Sequence, residues 1–132
     1  MSGAVELLDP VRGYLGEPRC AVLSTLGSED APHQVVVHYL LESDALLING
    51  RADRRWLANL RRDGRASLVI HDAEQPLHWV GIKVAAELWR EGEPAVKDAQ
   101  RLAQRYGEDP AAYRDQQRVT VRLVPQRVYE YG

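Results

Sequence analysis

Arg51, Arg54 and Arg55 lie where an apolar run, Ala45 to Asn49, hands over to a helical pattern in the segment NGRADRRWLANLRRD. A guanidinium is a planar fork that can give two charge-assisted hydrogen bonds to one phosphate. The N-terminus of a helix adds unpaired N–H groups that favour an anion. Residue type and position therefore point to a site for a phosphate-bearing ligand. Asp53 competes for the same N–H groups, because its carboxylate can cap the helix. The bland alternative is that the arginines solvate a surface helix and pair with Asp53 or Asp63. Arg61 and Arg62, further along that helix, fit the alternative.

Other chemistry-bearing residues are sparser. His33 and His38 lie an odd number of positions apart in one extended run, so they point to opposite faces. His71 and His78 flank a turn beside Asp72 and Glu74, an arrangement that could form a weak metal site. No Ser-His-Asp arrangement can be argued from the spacing. GxGxxG, a Walker loop, HExxH and the deaminase metal signature are all absent. Gln34, Val36 and His38 share one strand face, with Val35, Val37 and Tyr39 on the other. Such a face could pack against a flat heterocycle or simply be wet. Cys20, the single cysteine, precludes an internal disulfide and reads as a buried thiol in an apolar run.

The elements that must position these groups follow from periodicity. Strands are expected over Arg19 to Leu26, Pro32 to Glu42, Ala45 to Asn49, Arg65 to His71, Leu77 to Arg90 and Val119 to Val124, with a short terminal strand over Arg127 to Tyr131. Gly81 marks a bend or bulge in the fifth. Helices are expected over Glu6 to Leu15, from Asp53 as cap to Gly64, and from Glu93 to Tyr106, where Val96, Ala99, Leu102 and Ala103 share a face. Strands joined by tight turns favour an antiparallel barrel, since closure removes unpaired edges.

At 132 residues the chain is expected to form one domain. Seventeen Lys and Arg against 19 acidic residues, net charge -2, argue against a broad nucleic-acid surface. No apolar stretch is long enough to span a membrane, and a cytoplasmic protein without nucleic-acid or membrane partners is expected.

The series RCAVLSTLGSEDAPHQVVV, then LLINGRADRRWLANLRRDGRASLVIHD, then WVGIKVAAELWRE resembles the pyridoxamine 5'-phosphate oxidase-like split barrels over about residues 15 to 131. Within them it most resembles the coenzyme F420 (deazaflavin)-dependent oxidoreductase branch. The resemblance implies an all-β fold with minor helices: a six-stranded antiparallel split β-barrel of the FMN-binding type. It also implies a homodimer with the cofactor in a groove between subunits. Hydride transfer between coenzyme F420 and a small conjugated or quinone-like acceptor is the expected activity. FMN in place of F420, or a flavin-, deazaflavin- or haem-binding protein without turnover, are the alternatives. A structural relic is a fourth.

Under this resemblance Arg51, Arg54 and Arg55 hold the phosphate beside Asn49 and Gly50, with Asn59 supporting the turn. Gln34, Val35 and Val36 border the ring, and His78 or Lys83 could reach a ligand held by the partner subunit. The chain also departs from the family pattern. Gly50 stands at the usual hydroxyl position, Arg55 keeps the first basic place and Trp56 replaces the usual lysine. Gln34 takes a place often basic in true pyridoxamine-phosphate oxidases, which argues against that reaction. Val84 replaces a usual glycine and is expected to crowd the groove.

Overall fold

The computed structural model describes residues 4–131. In chain order the elements are α1 (Asp9–Leu15), β1 (Ala21–Leu26), β2 (Pro32–Val37), β3 (Leu40–Glu42), β4 (Ala45–Arg51), α2 (Arg55–Arg62), β5 (Arg65–His71), β6 (Trp79–Glu91), α3 (Glu93–Arg105) and β7 (Arg118–Tyr131). All strand pairs are antiparallel, in the order β2-β1-β5-β6-β7-β4-β3.

This corrects the expected six-stranded closed barrel. The sheet has seven strands and is open: among the described residues no ladder joins its edge strands, β2 and β3. Nor are the helices minor, with 7, 8 and 13 residues in α1, α2 and α3.

The run Pro32 to Glu42, expected as one strand, breaks at His38 and Tyr39, and its halves go to opposite edges of the sheet. Tyr39 is the cause. Its side chain is fully buried, and its hydroxyl donates to the carbonyls of Leu15 at 3.0 Å and Glu17 at 3.2 Å. Its N–H meets the hydroxyl oxygen of Tyr106 at 3.4 Å instead of a strand neighbour. With two residues between them, the ends of β2 and β3 lie within about 11 Å, so the open sheet is strongly curled.

Inward-facing residues of that curl form the core. Leu23, Leu46, Ile48, Leu57, Leu68, Ile70, Ile82, Val121 and Leu123 are all at most 1% exposed. Burying each such side chain contributes about 1.5–3 kcal/mol. Alternation places Val22, Val69 and Lys83 on the outer face. α3 covers the outer side of β3 and β4, where Leu102 meets Leu40 and Leu47. α2 closes one end of the core with Trp56, Leu57 and Leu60.

Three local expectations change. β7 runs through Pro125 instead of stopping there: Pro125 pairs with Val84, and the register shift against β6 leaves Gln126 beside it unpaired, the kind of irregularity at which a strand accommodates proline. The irregularities of β6 fall at Lys83/Val84 and Glu87/Trp89, not at Gly81. Cys20 is exposed, because it precedes β1 instead of facing inward from it.

Candidate functional site

A cleft of about 320 Å³ opens at the gap in the sheet. β3 pairs only with Ala45, Leu46 and Leu47 of β4, so Asn49, Gly50 and Arg51 have no strand on that side. They face Val35, Val36 and Val37 of β2, the opposite edge, across the cleft. Ala99 and Leu102 of α3, with Glu108 and Tyr113 beyond it, complete the wall. The volume suits a ring-sized group within the usual range for ligand pockets.

Trp56 forms part of the lining, and its ring lies on Gly50. A Cβ at position 50 would stand 2.5 Å from Trp56 Cζ2. The glycine at the strand end and the tryptophan in the helix are therefore one packing unit. Val84 does not enter the cleft; it is 3% exposed and belongs to the core, paired with Ala66. The expected crowding by Val84 is thus absent.

α2 begins differently from expectation. Arg54, not Asp53, occupies the N-cap position, with extended backbone, and no side chain caps the helix. Asp53 instead approaches Arg51 Nε at 3.5 Å, both side chains being well exposed. Such an exposed pair contributes little. The helix start is left free of a competing side-chain carboxylate, with Arg51 and Arg54 beside it in the cleft.

A further arginine stands there. Cross-strand pairing sets Arg118, at the start of β7, opposite Arg51. It is half-buried and lies over the Tyr113 ring, 4.7 Å from the centroid. Burial, and then the charges of Arg54 and Arg51, push its pKa down, while Tyr113 acts the other way. Its hydrogen-bond partners are neutral: Nε donates to Asn49 Oδ1 at 2.9 Å and Nη1 to Gln116 Oε1 at 2.7 Å. Among the described residues neither Arg54 nor Arg118 has a carboxylate within 4 Å.

His38 also lines the cleft, stacked on Tyr106 at 3.7 Å, with Nδ1 3.9 Å from Glu108 Oε1. Sequence reasoning placed His38 only on a strand face that could pack against a heterocycle or be wet, and did not assign Arg118 to the site at all. Arg118 is far from Arg51 in the chain, and only the β4–β7 register reveals the pair.

Of the residues expected at the site, Val35, Val36, Asn49, Gly50, Arg51 and Arg54 come together. Arg55 starts α2 with an exposed side chain outside the cleft lining. Gln34 lies on the outer face and donates to Ser24 Oγ at 3.1 Å. Asn59 is buried, and its Nδ2 donates to Thr25 Oγ1 at 3.0 Å, tying α2 to β1. His78 lies elsewhere, its ring 5.1 Å from that of Tyr14, whose hydroxyl donates to the His78 carbonyl. Lys83 is exposed on β6 between Ser67 and Arg127. His71 meets the Asp72 carbonyl, and among the described residues no group of His, Cys, Asp and Glu could hold a metal. No helix among them is long and apolar enough to cross a membrane.

The fold is shared with solved structures. A protein described as an F420 reductase superposes with a TM-score of 0.82 at 16% identity, over 93% of this chain and 98% of the other. A conserved hypothetical protein from Mycobacterium tuberculosis matches at 0.80 and 22% identity, over 99% and 88%. The haem storage protein HutZ from Vibrio cholerae matches at 0.75 and 17% identity, over 97% and 96%. At these identities the likeness is one of fold. No curated protein matches the chain. The sequence model described as pyridoxamine 5'-phosphate oxidase matches residues 7–132, nearly the whole chain. On that match, the chain belongs to the pyridoxamine 5'-phosphate oxidase family.

Proposed function

We propose that the cleft binds the phosphate-bearing end of a flavin-type redox heterocycle, coenzyme F420 in the first instance, and that the protein is an oxidoreductase. The carrying observation is the pair Arg51 and Arg54 lining the cleft at an uncapped helix start, Arg51 meeting only the exposed Asp53 and Arg54 no carboxylate within 4 Å among the described residues. These residues fit an anionic tail. Arg51 and Arg54 hold the phosphate, Val35 and Val36 border the ring, and Trp56 supplies an apolar floor. When bound, the cofactor supplies hydride transfer to a small conjugated or quinone-like acceptor, and the protein supplies placement and field. The match to a structure described as an F420 reductase supports F420. Membership of the pyridoxamine 5'-phosphate oxidase family supports FMN as the second reading.

Titration of the purified protein with F420, FMN and haem tests this. Micromolar binding of F420 or FMN is expected, weakened about ten- to a hundredfold by Arg54→Gln. Each lost hydrogen bond to a charged partner is worth about 1.5–3 kcal/mol. If no heterocycle binds a folded protein, the reading fails. Tight binding without hydride transfer to any acceptor makes the protein a carrier instead of an enzyme, and haem alone binding points to that class.

The active form we propose is a homodimer. Val36, Val22, Val69, Gly81 and Tyr129 stand in register across five strands on the outer face, and Val36, Val69 and Tyr129 are exposed there. Light scattering of the wild type and of Val69→Glu tests it: a monomeric wild type ends the proposal.

A further inference from the structure

Outside Arg51 and Arg54, the most organised feature of the cleft is a polar chain running from the interior to Arg118. It starts at Asp98 of α3, whose side chain is 5% exposed and is held by Arg90 at 3.2 Å and Arg101 at 3.3 Å. A carboxylate in ion pairs can only accept, so the hydroxyl proton of Thr120 is committed to Asp98 Oδ2, 2.8 Å away. Thr120 Oγ1 is then an acceptor for Asn49 Nδ2 at 2.8 Å. The other proton of that amide goes to the Ala95 carbonyl, also at 2.8 Å.

Both amide protons being used, Asn49 cannot turn over. A flipped amide would set its oxygen against the Ala95 carbonyl and give Thr120 an acceptor it cannot serve. Its oxygen must therefore face Arg118 Nε, as it does at 2.9 Å. The orientation of Arg118 is thus dictated by a carboxylate three hydrogen bonds away. Nη1 is steadied by Gln116 and the guanidinium lies over Tyr113. Nη2 has no protein partner among the described residues, and a guanidinium carries five N–H donors, so a donating edge is left for the cleft.

The charge is equally unanswered. Arg90 and Arg101 each have carboxylates, whereas Arg118 and Arg54 have none in range. We propose that Arg118 is an anion-binding residue of the cleft, held in place by Asn49 and Thr120 as positioning residues, and that with Arg51 and Arg54 it selects a phosphate or diphosphate group over a carboxylate. This rests on reading the cleft as a phosphate site. Several convergent guanidiniums answer a multiply charged oxyanion better than a single negative charge.

The test is calorimetric titration of the full chain with inorganic pyrophosphate and with acetate at low salt, beside titration with F420 and FMN. Pyrophosphate is expected to bind more tightly than acetate, and Arg118→Gln to weaken it about ten- to a hundredfold. Thr120→Val should weaken it by a smaller factor and Thr120→Ser should restore it, which a merely structural residue would not require. Should Thr120→Val fail to fold, Asn49→Asp carries that arm, since a carboxylate set against Arg118 Nε must cancel the preference for pyrophosphate. Equal pyrophosphate affinity in the wild type and Arg118→Gln overturns the inference, as does a wild type that does not prefer pyrophosphate to acetate. Pyrophosphate binding that depends on Arg118, without binding of any heterocycle, leaves the inference standing and removes the redox reading. Heterocycle binding indifferent to Arg118 does the reverse.

Discussion

Replacing Gly50 by alanine should destabilise the protein for one identifiable reason, the ring of Trp56. The added Cβ would lie 2.5 Å from Cζ2, where ordinary contact begins at 3.4 Å, so the ring must withdraw by about 1 Å. Trp56 is only 4% exposed and packs into the core from α2, so its ring cannot withdraw without giving up contacts there. Overpacking of this kind costs about 1–3 kcal/mol. For a chain of this length that is a fall in Tm of roughly 3–15 °C. Trp56→Leu alone creates a cavity and costs on the order of 2–5 kcal/mol, but it also vacates the space above residue 50. In that background Gly50→Ala should cost under about 0.5 kcal/mol, giving a coupling of at least about 1 kcal/mol in the double-mutant cycle. Urea denaturation of the four proteins, compared through Cm at constant m, measures it. Equal cost of Gly50→Ala in both backgrounds would refute the argument. The two departures from the family pattern, a missing hydroxyl and a missing lysine, would then be unrelated changes.

Other outcomes follow from single contacts. Asn59→Ala strands the buried Thr25 hydroxyl and should lower stability by about 1–3 kcal/mol, read by chemical denaturation. Tyr39→Phe removes the donor to the Leu15 and Glu17 carbonyls. Because Arg105 Nη2 also serves both carbonyls, the loss should stay near the lower end of about 0.5–1.5 kcal/mol in the same assay. Hydrogen bonds from Arg65 hold the Asp63 carboxyl down at about 2, below its ordinary 3.8. A depressed folded-state pKa stabilises above the unfolded value and is lost as pH falls through the folded one. Acid titration should therefore show wild type and Asp63→Asn differing above pH 4 and converging toward pH 2; a constant gap across that window would contradict the assignment.

Much of the architecture was legible because alternation and helical spacing are local. Leu23, Leu68, Ile70 and Ile82 announce their inward faces, and the helix Glu93–Arg105 carries its buried stripe openly. What failed depended on distant partners. HQVVVHYLLE reads as one strand unless one knows that Leu15 and Glu17 offer carbonyls to the Tyr39 hydroxyl. Asp53 has the right side chain for a cap, yet the turn closed by Arg54 N–H to the Arg51 carbonyl moves the helix start one residue on. Barrel closure could not be read, since it depends on whether β2 and β3 pair, a relation between segments that are continuous in sequence. At the site, the arginines near Asn49 were visible as a local cluster. Arg118 was not, because its membership is a matter of β4–β7 register.

The missing ladder between β2 and the far half of β4 has one last consequence. Where strands are zipped together their separation is pinned near 4.8 Å, and nothing but a smaller or larger side chain can be accommodated between them. Here the two margins are unfastened, so the aperture is gauged by side chains that line it, Val36, Trp56 and Arg118 among them, and substitutions there can retune what is admitted without redrawing a single interstrand bond.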